Sequence, residues 1–228
     1  MLVALRSGLV LLDTETGKLN AVADAPFDPA IQRFNDGRCD AMGRLWVGAI
    51  HEPRDRPGAT LYCVASGRIR DDHKPVVTSN GVAFSPDHQT LYHADTRGHK
   101  ITAYDYDLER GSTGTGRLFK QFSDDRTQQY GGRPDGGTVD SEGAYWSALY
   151  EGGCLVRLSS EGEILQRVVV PFLCPTMVCL GGEDLRTLYV TGARAGRNDA
   201  ELSRYPLSGY VVSTRVAVPG LPESGYVR

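Results

Sequence analysis

"RPDGGTVDSEGAYWSALY", residues 133–150, repeats "RFNDGRCDAMGRLWVGAI", residues 33–50, in outline. Both open on an arginine, Arg133 and Arg33, and place a polar residue two positions on, Asp135 and Asn35. Both then pass through glycine to an aspartate (Asp140, Asp40), a second glycine (Gly143, Gly43) and a tryptophan (Trp146, Trp46). The polar head and the tryptophan are eleven positions apart in each. Two looser copies follow the same plan. "NGVAFSPDHQTLYHADT" starts at Asn80 and "MVCLGGEDLRTLYVTGA" at Met177, each with a tyrosine (Tyr92, Tyr189) twelve positions on, the extra residue being assigned to the turn. The heads Asn35, Asn80, Asp135 and Met177 are thus separated by 45, 55 and 42 residues. That period belongs to repeated supersecondary units such as propeller blades.

The segments between heads are short and rich in β-branched and aromatic residues: "LWVGAI", "TLYHAD", "ITAYDYD", "YWSALY", "TLYVTG". Dipeptides of the kind "SG", "PD", "RG", "EG" and "GG" punctuate them, as turns do. No window sustains the i, i+3, i+4, i+7 apolar pattern of a helix. The expectation is an all-β chain of four-stranded repeats arranged radially, a β-propeller. In such a fold the starts of the innermost strands converge on the central axis, so Asn35, Asn80 and Asp135 face one another across a funnel. Gly37, Gly81 and Gly136 beside them allow the backbone a tight path. Singly, each head also reads as an ordinary turn residue; three matched positions favour the funnel. Trp46 and Trp146 read as blade core.

With 228 residues, 27 glycines and 12 prolines, the chain has the length of a sizeable core and the turn content of a strand-rich fold. A net charge of −3 without basic runs gives no footprint for nucleic acid or an anionic membrane surface. No apolar run reaches membrane-spanning length, and the N-terminal "MLVALRSGLVLLDTETG" carries Arg6 and reads as a strand pair, not a signal peptide. Five cysteines without a C-x-x-C pair read as reduced core thiols of a cytoplasmic protein.

Two amide oxygens and a carboxylate in one cavity are hard donors, suited to Ca²⁺, Mg²⁺ or Mn²⁺, and to Zn²⁺ with water completing the shell. A divalent cation there polarises a carbonyl and acidifies water, while a carboxylate takes the proton. The reaction class this suggests is metal-assisted hydrolysis of a carbonyl ester. Competing signals fall away. "GSTGTG" (111–116) has no helix after it for a phosphate, "DYDLERG" (105–111) lacks the glycine and glutamate of a calcium loop, and neither G-x-S-x-G nor H-E-x-x-H occurs. The five histidines show no ligand spacing, and His93 reads as structural.

Four co-linear stretches, "RFNDGRCDAMGRLWVGAI", "SNGVAFSPDHQTLYHADT", "RPDGGTVDSEGAYWSALYEGG" and "GGEDLRTLYVTGARAG", resemble the SMP-30/regucalcin/gluconolactonase family, and bacterial sugar-lactone lactonases most closely. The resemblance implies a six-bladed propeller that opens sugar (aldono-) lactones with one divalent metal ion, Ca²⁺ or Zn²⁺, with Mn²⁺ or Mg²⁺ as alternatives. It assigns Asn80 and Asp135 as metal ligands, Asp135 also as general base, and Arg33 and Asn35 to the sugar hydroxyls. Asp55 falls near an acidic substrate-contacting position of the family. The family's third ligand, a glutamate in an "EGP-x-W"-like motif on the first inner strand, has no counterpart here. The opening "LVALRSGLVLLDTETGKLNAV" resembles the outer strands of a second blade instead. The expectation is therefore one propeller domain over residues 1–228, N-terminally truncated relative to the family, with about four complete blades plus part of another. Its metal is expected to be held weakly and its activity to be impaired. The alternative is a non-catalytic propeller that binds Ca²⁺ or a partner protein.

Overall fold

The computed structural model describes residues 1–128 and 130–227. Among these, eighteen strands form five antiparallel sheets, and in every sheet the spatial order of strands follows the chain. The first sheet holds β1 (Leu2–Leu5), β2 (Gly8–Leu12) and β3 (Leu19–Asp24). The second holds β4 (Gln32–Cys39), β5 (Leu45–His51), β6 (Leu61–Ala65) and β7 (Arg68–Asp71). The third holds β8 (Ser79–Phe84), β9 (Thr90–Asp95), β10 (Lys100–Asp107) and β11 (Ser112–Gln121). The fourth holds β12 (Arg133–Val139), β13 (Tyr145–Tyr150), β14 (Cys154–Leu158) and β15 (Ile164–Val169). The fifth holds β16 (Pro175–Gly181), β17 (Thr187–Gly192) and β18 (Val211–Arg215). Strand β4 packs against β1 and β8, and β12 against β8 and β16, so successive sheets stand side by side as the blades of an all-β propeller.

The blade count differs from the expectation of about four complete blades plus part of another. There are five blades, three of four strands, and the repeat headed at Met177 yields only three. The chain after β17 is diverted by Gly196 into the short helix α1 (Asp199–Arg204), capped by the Asn198 side chain. Beyond β18 lie Pro219 and Pro222, which lack the N–H groups a fourth strand must supply. The segment instead runs beneath the inner strands as a strap. Pro219 accepts from Ser141 N–H, Glu223 pairs with Arg38, and Val227 N–H donates to Gly43.

The core lies between blades. Trp46 packs with Leu61, Val82 and Leu91 where blades two and three meet, and Trp146 with Leu155, Val178 and Leu188 where four and five meet. Both indoles are buried, as expected, and burial of such an area stabilises by roughly 5 kcal/mol each. Each indole N–H needs an acceptor, and the repeat supplies it. Asp140 accepts from Trp146 Nε1 at 2.9 Å, from Arg157 Nε at 2.7 Å and from the turn N–H groups of Glu142 and Ala144, both at 3.1 Å. Asp40 does the same for Trp46, Arg44 and Met42, and takes the Tyr106 hydroxyl at 2.6 Å from the next blade. Burial alone would raise the Asp40 carboxyl, but the Tyr106 hydroxyl and Arg44 outweigh it and hold it below the usual carboxylate range. Gly43 and Gly143, at φ 77° and 82°, make the turn these carboxylates bracket. The aspartate–glycine–tryptophan part of the repeat is therefore a hairpin clamp. Asp140→Ala strands the buried Trp146 N–H, frees two turn N–H groups and leaves Arg157 only its pair with the exposed Glu142, and is expected to cost about 3 kcal/mol, read by urea unfolding. Asp107→Ala, which cuts an exposed pair with Arg110 and one solvent-accessible turn N–H bond to the same residue, should shift the midpoint far less.

Candidate functional site

In blades two to five the innermost strand carries one residue more than its neighbour can pair. Phe34 and Gly37 face Ala49 and Val47; Asn80 and Ala83 face Ala94 and Tyr92; Pro134 and Gly137 face Leu149 and Ser147; Pro175 and Met177 face Gly192 and Thr191. The β-bulge falls at or beside the head of every repeat, where it bends the strand and re-aims side chains. Asn35 and Asp135 lie within their bulges. Asn80 stands one residue earlier, ahead of its bulge, and Gly81 takes the position equivalent to Asn35. The extra residue assigned to the turn of the third repeat belongs here instead: Leu91, not Tyr92, is the register counterpart of Trp46 and Trp146. Met177 follows its bulge and lines another cavity, so the fourth repeat brings no polar head to the funnel.

The heads converge on a cavity of about 200 Å³ lined by Arg33, Asn35, Asn80, Thr96, Arg133, Asp135 and Tyr150, with Arg54 and Arg97 at its rim. A chain of hydrogen bonds crosses from blade two to blade three. Arg33 Nη1 donates to Asn35 Oδ1 at 3.3 Å, Asn35 Nδ2 to Asn80 Oδ1 at 2.7 Å, and Asn80 Nδ2 to Thr96 Oγ1 at 2.7 Å. Asn35 Nδ2 also reaches the Ser79 carbonyl at 2.8 Å. Both amides are thus fixed in orientation, and Asn80 Oδ1 keeps one lone pair free of this chain.

Asp135 is opposite in character. Among the described residues no side chain donates to its carboxyl, which is pushed up to about 8, first by burial and then by the Asp36 carboxyl, against Arg133 and the Gly136 N–H. Asp36 is also raised by burial, but Arg38 and the N–H groups of Val82, Gly37 and Gly81 oppose this. With those donors Asp36 is the better seat for negative charge, and Asp135 keeps the proton. Oxygen donors facing a cavity beside a carboxyl that resists ionisation fit a hard divalent cation, which would draw off that proton. The fit is sparse. Asn80 and Asp135 are two oxygens where Ca²⁺ takes about 6–8, and no group of three His, Cys, Asp or Glu side chains surrounds a metal position among the described residues.

Other expectations fare variously. Asp55 does not line the cavity; its carboxylate pairs with His51 Nε2 at 2.7 Å, while its neighbour Arg54 reaches the rim. His93 is buried against Ser79 Oγ at 2.6 Å and pushed down to about 4 by burial and Lys74, a neutral structural residue. None of the five cysteines is disulfide-bonded. No helix among the described residues is long and apolar enough to cross a membrane. Lining residues that escaped the sequence reading include Arg54, Thr96, Arg97, Arg133 and Tyr150. Of these, Arg133 was signalled, since it opens its repeat as Arg33 does.

Residues 1–194 match the SMP-30/Gluconolactonase/LRE-like region. The chain belongs to the SMP-30/gluconolactonase family. A relative within reach of this family's sequence is the 6-deoxy-6-sulfogluconolactonase of Pseudomonas putida, 47% identical over 223 residues, which are 97% of this chain and 75% of that protein. Regucalcin of Oryctolagus cuniculus is 34% identical over 94% of this chain and 73% of its own length. Among solved structures, a calcium-binding protein, regucalcin, from Agrobacterium tumefaciens superposes with a TM-score of 0.93 at 29% identity, over the whole of this chain and 76% of that one. The chain thus spans about three quarters of these SMP-30/gluconolactonase relatives.

The site's electrostatics make a prediction about pH. A carboxyl that holds its proton up to about 8 in the fold, against about 4 unfolded, binds more protons when folded throughout that window. Stability is therefore fully present below the unfolded value and is lost as pH rises through the folded one. The metal-free melting temperature should fall between pH 5 and about 8.5, and Asp135→Asn should flatten that slope. An unchanged slope in the variant would contradict the assignment.

Proposed function

We propose that this chain is a metal-dependent hydrolase that opens a sugar lactone to its aldonic acid. The observation that carries the reading is the convergence of Arg33, Asn35, Asn80 and Asp135 from three blades on one cavity of about 200 Å³. That volume suits a single sugar-sized ring, and family membership with a lactonase 47% identical supports the chemistry.

Arg33 and the Asn35 amide are the groups we assign to the sugar hydroxyls. Asn80 Oδ1 and the Asp135 carboxylate would hold the divalent cation, Ca²⁺ or Zn²⁺ and, as alternatives, Mn²⁺ or Mg²⁺. When bound, the cation supplies polarisation of the lactone carbonyl and a more acidic water. Asp135, once ionised, accepts a proton from the attacking water. The water oxygen bonds to the carbonyl carbon, the carbon–ring-oxygen bond breaks, and the ring oxygen leaves as a hydroxyl with a proton returned from Asp135. The buried Asp36 beside it keeps Asp135 basic, so the proton is taken up readily.

One observation favours a second reading, a propeller that binds without hydrolysing: the cavity lining offers a single carboxyl to a cation. Acid release from aldonolactones separates the two. Hydrolysis should require added metal, rising over roughly 0.1–1 mM as for weak Ca²⁺ sites, and should vanish with chelator. Asp135→Asn should lower kcat by about a thousandfold or more, with the far-ultraviolet circular dichroism unchanged. Asn80→Ala should chiefly raise the metal concentration for half-maximal rate. Folded protein that releases no acid above the spontaneous rate at any metal concentration would favour the binding reading.

A further inference from the structure

Positive charge surrounds this cavity, and most of it is already spoken for. Arg33 lies 3.4 Å from Glu52, which is also gripped by Arg6. Arg133 lies 3.4 Å from Glu151, which also takes Arg126 at 2.6 Å and Arg197 at 3.6 Å, while Arg197 is further tied to Glu201. Burial would raise the Glu151 carboxyl, but these arginines outweigh it and hold it below the ordinary range, so it stays a permanent counter-charge. Arg133 and Arg197 also flank the Tyr150 ring, at 5.1 Å and 5.8 Å from its centroid. Two lining arginines have no such neighbour. Among the described residues, neither Arg54 nor Arg97 has a hydrogen-bonded or ion-paired side chain, and both are exposed at the cavity mouth.

Their position in the fold is not incidental. Arg54 sits on the loop after β5 and Arg97 on the loop after β9, the loops that rise above the heads at the top of blades two and three. Arg54 holds φ at 58°, a backbone state unfavourable to a side-chain-bearing residue. The reacting carbonyl belongs beside Asp135, deeper in the bulge of β12. An anion at the rim is therefore the far end of the substrate and not the carboxylate that ring opening creates.

We infer that Arg54 and Arg97 form a subsite for an oxyanion carried by the lactone at the end remote from its carbonyl, a sulfonate or a phosphate ester. This rests on the lactonase reading and narrows its substrate class. The planar guanidinium fork matches such tetrahedral oxyanions, each contact being charge-assisted. A neutral gluconolactone would leave both charges without a partner. The anionic lactone also gains on approach, because unpaired like charges at a cavity mouth steer an opposite charge inward.

The test is steady-state hydrolysis by the full chain with saturating divalent metal. The substrates are gluconolactone, its 6-deoxy-6-sulfo derivative and its 6-phosphate, each measured at low and at high salt. The wild type should favour at least one anionic lactone over the neutral one in kcat/KM. That preference should shrink on the order of tenfold to a hundredfold in Arg54→Gln and in Arg97→Gln. The exposed Arg68→Gln, on β7, serves as a charge-matched control that should keep the wild-type preference. Added salt should erode kcat/KM for the anionic lactone alone, which tests the subsite even if a variant folds poorly. Relative rates on sulfonate and phosphate decide which anion is meant. Equal kcat/KM on neutral and anionic lactones would overturn the subsite and leave the lactonase reading standing. No hydrolysis of any lactone, with salt-sensitive calorimetric binding of 6-sulfogluconate lost in Arg97→Gln, would overturn the lactonase reading and keep the subsite. Neither hydrolysis nor binding would overturn both.

Discussion

One unpaired residue per inner strand is the constraint on which this site depends. A regular β-strand alternates its side chains, so residues two apart share a face and neighbours do not. The bulges at 35–36, 81–82 and 135–136 break that alternation where three strands enter the funnel. Beyond the bulge the strand regains its register and feeds the inter-blade core, through Ala83 and Phe84 on β8 and Val139 on β12. Within it, Asn35 and Asp135 are released from the ladder toward the cavity. The same strands thus serve a dry interior at one end and a polar chamber at the other. The aspartate clamps at the far turns, Asp40 and Asp140, hold the opposite ends of two of them.

Charge is distributed to match. The floor carries carboxyls that resist ionisation, while the walls carry arginines neutralised in groups by Glu52 and Glu151. A wall built this way has stiff guanidinium groups whose hydrogen-bond directions are set before anything enters. The amide chain from Arg33 to Thr96 does the same for Asn35 and Asn80. Such preorganisation means that little has to rearrange when a polar molecule replaces water in the chamber.

The fold was legible because the repeat advertises itself through its clamp. Aspartate, glycine and tryptophan recur at fixed spacing since a buried indole N–H, a left-handed glycine and a bracketing carboxylate are needed together. The polar heads were legible for the same reason, riding at a fixed distance from that clamp. The register of the third repeat was not, because a hairpin one residue shorter and a head one residue earlier leave nearly the same spacing in sequence. The three-stranded fifth blade was hidden because the repeat motif ends with β17, and neither the short helix α1 before β18 nor Pro219 and Pro222 after it belong to that motif. Asp36 went unremarked although it adjoins Asn35, since its influence on Asp135 runs between blades and no sequence separation reports it. Arg54 and Arg97 sit on loops outside the repeat, and only the folded chain brings them to one mouth.

Tyr145 offers a last consequence. Its hydroxyl donates to the Gly81 carbonyl at 2.7 Å, tying blade four to blade three beneath the site. A Cβ built at Gly81 or at Gly137 would overlap that same hydroxyl. Positions 81, 137 and 145, on two blades, therefore share one small volume, which the phenol already fills. Losing the phenol at 145 would not by itself open 137, where a Cβ would still stand 2.8 Å from the Trp146 backbone carbonyl. At 81 a further lock applies, because φ of 58° and the Asp135 carbonyl crowd any side chain even after the phenol has gone. The chamber floor is thus held to glycine at both positions by neighbouring backbone as well as by the phenol, so it cannot be remodelled by changing the tyrosine alone.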